Sequence, residues 1–303
     1  MNSDFDYDDA KLLQGDFSGP NRKLRSRSQG PTEKVWQKKV AWSQILNTSW
    51  GDQLPHGRHW HTSSLCKDYN GFGHLIIFGG YSAKAHTGHG DVWSLALQDS
   101  IWSSVSHKNS SSLRIEPRYS HTAVVVEDVH GSISSPGKCI VYVFGGTTRS
   151  VQLKQTDVDH LLRIQFTDLG VEGSPGAPRW DMYIEDMTNT PLALGQRASH
   201  TALIHKHHMY IFGGVSGFME SITVHNDLWS YSTRTGAWLQ KKPKSPSRPM
   251  PSGRFNHGAV IYKGSSLGSI VPGTNKAASR DTYRNTVHMI VFGVTCYRVI
   301  RKI

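Results

Sequence analysis

Apolar residues fall along the chain in short runs closed by phenylalanine and glycine: HLIIFGG at 74–80, CIVYVFGG at 139–146, HMYIFGG at 208–214 and HMIVFGV at 288–294. Runs of about five to eight residues bounded by Gly, Pro, Ser or Asn predict strands. Upstream of each run stands Arg-x-x-His, as Arg58 to His61, Arg118 to His121, Arg197 to His200 and Arg254 to His257. A small residue follows each histidine: Thr62, Thr122, Thr201 and Gly258. Two units then carry Asp-x-Trp-Ser, at Asp91 to Ser94 with Trp93 and at Asp227 to Ser230 with Trp229. The last element is an aromatic-anchored strand, IWSSV at 101–105, RWDMYIED at 179–186 and GAWLQKK at 236–242. The four segments, A to D in chain order, predict a repeated four-stranded antiparallel meander.

Strand B is apolar on both faces, the mark of a strand buried between neighbouring sheets. The doublets after it, Gly79-Gly80, Gly145-Gly146 and Gly213-Gly214, with the single Gly293, permit positive φ and close backbone approach. Trp102, Trp180 and Trp238 on strand D supply apolar area to cover the adjacent sheet. One such sheet cannot bury both faces alone, so radial stacking of sheets is the expected solution.

These residues resemble the kelch-repeat family of β-propellers. The likeness rests on the Arg-x-x-His start, the Gly-Gly doublet, the later aromatic strand and the tryptophan beyond it, and it covers residue 42 to about 294. The implied fold is all-β, a kelch-type β-propeller of about three complete four-stranded blades plus a partial fourth. The expected domain is 34–294, with blades at 58–105, 118–186, 197–242 and, incomplete, 254–294. Family repeats run to about 50 residues, and these are longer, with much of the excess in the hairpin between A and B. In the second unit strand C reads DHLLRIQF at 159–166 and lacks the tryptophan.

At the ends the pattern breaks. Residues 40–46 read as an orphan D strand placed for ring closure, because Trp42, Pro55 and Arg58 repeat the spacing of the later D-to-A connections. The fourth unit replaces the second glycine with Val294 and passes at once into an atypical basic tail, 295–303. An interrupted repeat in an open ring is favoured over TCYRVIRKI serving as a makeshift C strand, and exposed edges would invite self-association. Residues 1–33 read as a disordered leader and 263–286 as a polar insertion.

Composition agrees with an all-β chain: among 303 residues are 29 Gly, 13 Pro, 9 Trp, 11 Tyr and 10 Phe. The formal net charge of +11 is spread over tails, loops and repeat arginines, so no nucleic-acid module is legible. The acidic start MNSDFDYDDA lacks the features of a secretory signal, and no apolar run reaches bilayer-spanning length. An intracellular protein, cytoplasmic or nuclear, is expected. Cys66, Cys139 and Cys296 lie far apart without C-x-x-C spacing, which predicts neither a disulfide framework nor a thiolate zinc site, and a reducing compartment.

Several fragments mimic reactive motifs. Gly264 to Gly268 fits G-x-S-x-G but falls between two strands, without the strand-to-helix turn that chemistry needs. Residues 131–138, GSISSPGK, approach a P-loop but have no helix to receive phosphate. The clusters His56/His59/His61, His86/His89/Asp91 and His205/His207/His208 raise metal binding. Recurrence of the repeat histidine in every unit argues instead for packing and hydrogen bonding. No catalytic residue, metal or cofactor is assigned.

The family resemblance implies a non-enzymatic protein-interaction module whose partners dock on the B–C and D–A loops. Those are 81–90, 147–158 and 215–226, with 106–117, 187–196 and 243–253. Tyr81, His86, Arg149, Phe218 and Glu220 are the candidate contacts. Kelch receptors of ubiquitin ligases suggest a narrower alternative, a basic pocket that takes acidic segments or a C-terminal carboxylate through arginine. An oxidase or other propeller enzyme, and a truncated product without independent function, are the remaining alternatives.

Overall fold

The computed structural model describes residues 54–107, 115–126, 137–149, 155–157, 161–169, 180–187, 189–217, 221–243, 250–264 and 286–293. The orphan D segment, the leader, the basic tail and most of the polar insertion lie outside these residues. Among the described residues there is no α-helix.

The first blade is β1 (Thr62–Lys67), β2 (Gly73–Phe78), β5 (Val92–Ala96) and β6 (Ile101–Ser104), antiparallel in that order. Between its second and third strands the chain forms a small hairpin, β3 (Tyr81–Ser82) and β4 (Thr87–Gly88). β7 (Ser106–His107) leaves the first blade and pairs parallel to β13 (Trp180–Asp186). That pairing makes the second blade five-stranded, with β8 (Thr122–Val125), β9 (Lys138–Phe144) and β12 (Leu161–Asp168). Its hairpin is β10 (Thr147–Arg149) with β11 (Gln155–Asp157). The third blade is β14 (Thr201–His205), β15 (His208–Phe212), β18 (Leu228–Ser232) and β19 (Trp238–Lys241), with hairpin β16 (Val215–Ser216) and β17 (Thr223–Val224). β20 (Gly258–Gly264) and β21 (Thr286–Phe292) form a two-stranded fourth sheet. The B–C segments expected as loops thus contain short hairpins, because the glycine turn delivers the chain beside the Arg-x-x-His segment. There His59, Tyr119 and Ala198 bridge to Tyr81, Thr147 and Val215.

The second blade shows why strand B reads as apolar throughout. Side chains alternate across a strand, so Cys139, Val141 and Val143 of β9 enter the core shared with the first blade. Tyr142 and Phe144 enter the core shared with the third. The D-strand tryptophans close these cores. Trp180 is fully buried and meets His74 of the first blade edge-on, and Trp238 packs on Phe144 of the second.

One expectation from the sequence is corrected. Cys66 and Cys139, 73 residues apart, form a disulfide that ties β1 to β9. Radial stacking turns a strand A residue of one blade toward strand B of the next, a proximity that spacing along the chain does not reveal. Both cysteines are fully buried, so a reducing compartment cannot be inferred from cysteine usage.

Candidate functional site

The repeat motifs converge where the blades meet. Arg58 donates from Nη1 and Nη2 to the two carboxylate oxygens of Asp91 at 2.6 and 2.9 Å, and from Nη1 to the Gly79 carbonyl at 3.0 Å. Arg197 repeats this with Asp227 at 2.7 and 3.1 Å and with the Gly213 carbonyl at 3.0 Å. It also donates to the Leu194 carbonyl. Each aspartate accepts a further hydrogen bond from tryptophan, Trp93 or Trp229, at 2.7 Å. Burial pushes both carboxyls up, but these hydrogen bonds and the arginine charges outweigh it, leaving Asp91 and Asp227 below the usual carboxylate range. Arg118 is equally buried, donating to the Glu116 and Gly145 carbonyls at 3.4 and 3.5 Å. Burial lowers it to about 10, Glu116 and Asp186 opposing that shift.

The glycine doublet is where successive blades touch. A Cβ on Gly145 would lie 2.4 Å from the Arg197 carbonyl and 2.9 Å from the His200 ring. One on Gly146 would lie 2.8 Å from both His121 Cβ and the Tyr119 carbonyl. With φ at 64° and 95°, both positions also lie in the left-handed region that favours glycine. Gly79-Gly80 and Gly213-Gly214 have the same contacts, and Gly293 packs on His257.

The repeat histidines join the blades. His121, His200 and His257 hydrogen bond through Nε2 with Thr62, Thr122 and Thr201 of the preceding blade, at 2.8, 2.7 and 2.9 Å. They meet Phe78, Phe144 and Phe212 edge-on. Burial, then the neighbouring arginines, lowers His121 to about 3, His257 to about 4 and His200 well below its ordinary value. All three are neutral near pH 7. Among the described residues the ladder is open at both ends: His61 is exposed, and Gly258 stands where the other units have threonine. Arg254, at the same end, donates to the Ser252 carbonyl at 3.1 Å.

A second ladder runs through the backbone of the residues before these histidines. Ser120 N–H donates to Trp60 O, Ser199 to Ser120 and Asn256 to Ser199, at 3.0, 2.9 and 2.9 Å. All four residues have positive φ, between 50° and 56°. Around them lies a cavity of about 360 Å3. The first blade contributes Trp60 and Tyr81, the second Tyr119, Ser120 and Thr147, the third Ala198, Ser199, Val215 and Gly217, and the fourth sheet Asn256. Trp60 stacks on Tyr119 at 5.6 Å between ring centroids, and Tyr81 packs on Tyr119 at 5.0 Å.

Of the candidate contacts, Tyr81 lines this cavity and His86 lies in the β3–β4 turn with φ of 50°. Arg149 ends β10, with its side chain outside the described residues, as are Phe218 and Glu220 entirely. Trp60 and Tyr119 were not singled out from the sequence, because they occupy the variable positions of Arg-x-x-His. Their aromatic character there is the signal that could have found them. Trp102 is half-buried on β6.

Other chemistry is sparse. No group of histidine, cysteine, aspartate or glutamate suited to a metal is present among the described residues. His74 hydrogen bonds with Ser94 at 3.2 Å and Asp68 at 3.3 Å, an order resembling a hydrolytic triad. All three are buried, Trp180 covers the histidine, and Asp68 also accepts the Asn70 and Phe72 N–H groups at 2.9 Å. The set pins a turn and offers no access to substrate. Of the G-x-S-x-G segment only Gly264 is described, ending β20, and of the P-loop mimic only Gly137 and Lys138, at the start of β9. No described helix is long and apolar enough to cross a membrane.

Comparison with known proteins agrees with this geometry. The family model of the Kelch motif matches residues 196–245. Kelch domain-containing protein 3 of Homo sapiens is 30% identical over 155 residues, 49% of this chain and 35% of that protein. Host cell factor 2 of Homo sapiens is 25% identical over 209 residues, 66% of this chain and 23% of that protein. The matches thus span about a third or less of these relatives. A solved structure of RAG in complex with one melted and one unmelted RSS superposes with a TM-score of 0.45 and 13% identity, covering 76% of this chain and 67% of that one. That likeness carries no argument. The chain carries kelch repeats, and its sheets are the blades of a kelch-type β-propeller, not closed into a ring among the described residues.

Proposed function

We propose that this kelch module binds a protein partner at the axial cavity where the four sheets converge. The observation that carries the reading is the cavity's composition: ten residues from four successive repeats, presented by a rigid scaffold. Concave sites lined by aromatic rings with a few polar groups are where ligands concentrate. The module acts by binding, without a catalytic centre of its own. The described lining carries no charged residue, which favours a general interaction module over the arginine-based carboxylate receptor of a ubiquitin ligase.

The test is affinity capture from a native extract with the full chain and with a Trp60→Gly/Tyr119→Ala variant, compared by quantitative mass spectrometry. A partner retained by the first and lost from the second is expected. An unchanged set of captured proteins contradicts the assignment of the cavity.

A further inference from the structure

The chemistry of the cavity narrows its occupant. Trp60 is 54% exposed although a large ring is costly to leave in water, and its backbone sits at φ 56° where the equivalent residues are Ser120, Ser199 and Asn256. A bulky residue in the left-handed region is an outlier, and such strain gathers at recognition sites. Its ring lies within 22° of parallel to Tyr119. Tyr119 is buried and backs this ring, so the exposed face of Trp60 forms a stacking ledge. Around it stand Ser120, Ser199 and Asn256, whose hydroxyl and amide groups, with the Trp60 indole N–H, are available as donors. No carboxylate, ammonium or guanidinium is among the described lining residues.

Resting on the binding site read above, we infer that the cavity takes an uncharged, proline-containing segment in the polyproline II conformation. Such a segment has no internal hydrogen bonds, so its carbonyls seek donors, and its pyrrolidine rings stack on aromatic faces. Proline brings no N–H and leaves no donor to be satisfied. The preformed extended helix also loses little entropy on docking. A charged side chain would enter without a counter-charge and lose hydration. An aromatic ledge with hydroxyl and amide donors also suits neutral sugars, which the test separates.

The full chain is used to select from a random dodecapeptide display library, in parallel with Trp60→Gly, which keeps the left-handed backbone and removes the ring. The same two proteins are applied to an array of neutral oligosaccharides. The expected result is a selected set enriched in uncharged proline-containing sequences, with the synthesised consensus peptide binding Trp60→Gly about tenfold or more weakly. Unfolding curves that coincide for the two proteins show that the loss is local. Selected peptides that depend on Trp60 but lack proline overturn the inference and leave the cavity as a protein-binding site. Trp60-dependent binding of an oligosaccharide overturns the inference in favour of a sugar. Peptides indifferent to Trp60 overturn both the inference and the site.

Discussion

Arg118 and Arg197 occupy the same place in successive blades, and both side chains are withdrawn from water. Arg197 meets a carboxylate through two hydrogen bonds, and its Nη1 reaches the Gly213 carbonyl at 3.0 Å. Arg118 meets no carboxylate at hydrogen-bond distance among the described residues, and its Nη1 lies 3.5 Å from the Gly145 carbonyl. The register places Leu162 where Trp93 and Trp229 stand, and the sequence there has no Asp-x-Trp. Yet the backbone path is the same, since Gly146 N–H donates to the Arg197 carbonyl at 2.9 Å and Gly214 N–H to the Arg254 carbonyl at 2.8 Å. The steric fit of glycine doublet to the next Arg-x-x-His is therefore the constant of this architecture. The ion pair is an addition that the second blade lacks among its described residues. The second blade instead is packed on both faces and bound to the first by the Cys66–Cys139 disulfide.

If that is the division of labour, the strongest blow to the second blade is loss of its covalent tie. Closing a loop of 73 residues is worth about 4 kcal/mol by the chain-entropy estimate, so Cys66→Ala/Cys139→Ala is expected to lower urea stability by about that much. The third blade depends on its ion pair. Asp227→Asn leaves a buried guanidinium without its counter-charge and is expected to cost about 3 kcal/mol. Arg118→Met, which removes a buried charge that meets no carboxylate at hydrogen-bond distance among the described residues, is expected to be neutral or stabilising in the same urea titration.

Acid acts on both blades, and each buried histidine has a smaller effect. His121, His200 and His257 are lowered by burial, so the unfolded chain takes up protons first as pH falls below about 6.5. Stability is full above that pH and declines below it, and for His121, lowered to about 3, the decline continues almost to that value. At pH 5 this residue alone costs about 2 kcal/mol. Asp91 and Asp227, also lowered, lose their contribution at still lower pH, in the same direction. Urea midpoints measured at pH 7 and pH 5 check this, and His121→Gln is expected to flatten the profile.

The elements legible in the sequence were those repeated in it. Arg-x-x-His, Phe-Gly-Gly and Asp-x-Trp mark strands because each copy solves the same packing problem. Contacts between non-equivalent positions left no such trace. Cys66 comes from a first strand and Cys139 from a second, so no periodicity aligns them. Thr62 follows His61 in sequence but pairs with His121 of the next blade. Trp60 lies in a variable position of the motif, where only the backbone ladder shows that it reaches the cavity. Choosing contacts behind the glycine turns reached Tyr81 but missed Tyr119, which the second blade brings beside it.

Hydrogen–deuterium exchange of the full chain, alone and with the partner isolated by capture, tests the central claim most directly. The opposite end of the blades offers a rival surface, where Tyr69, Phe72 and Leu97 are exposed in the A–B and C–D turns. Binding at the axial cavity predicts partner-dependent protection of 58–62, 80–88, 118–122 and 196–200, with the turns at 68–73 and 97–100 unchanged. Protection confined to those turns would contradict it.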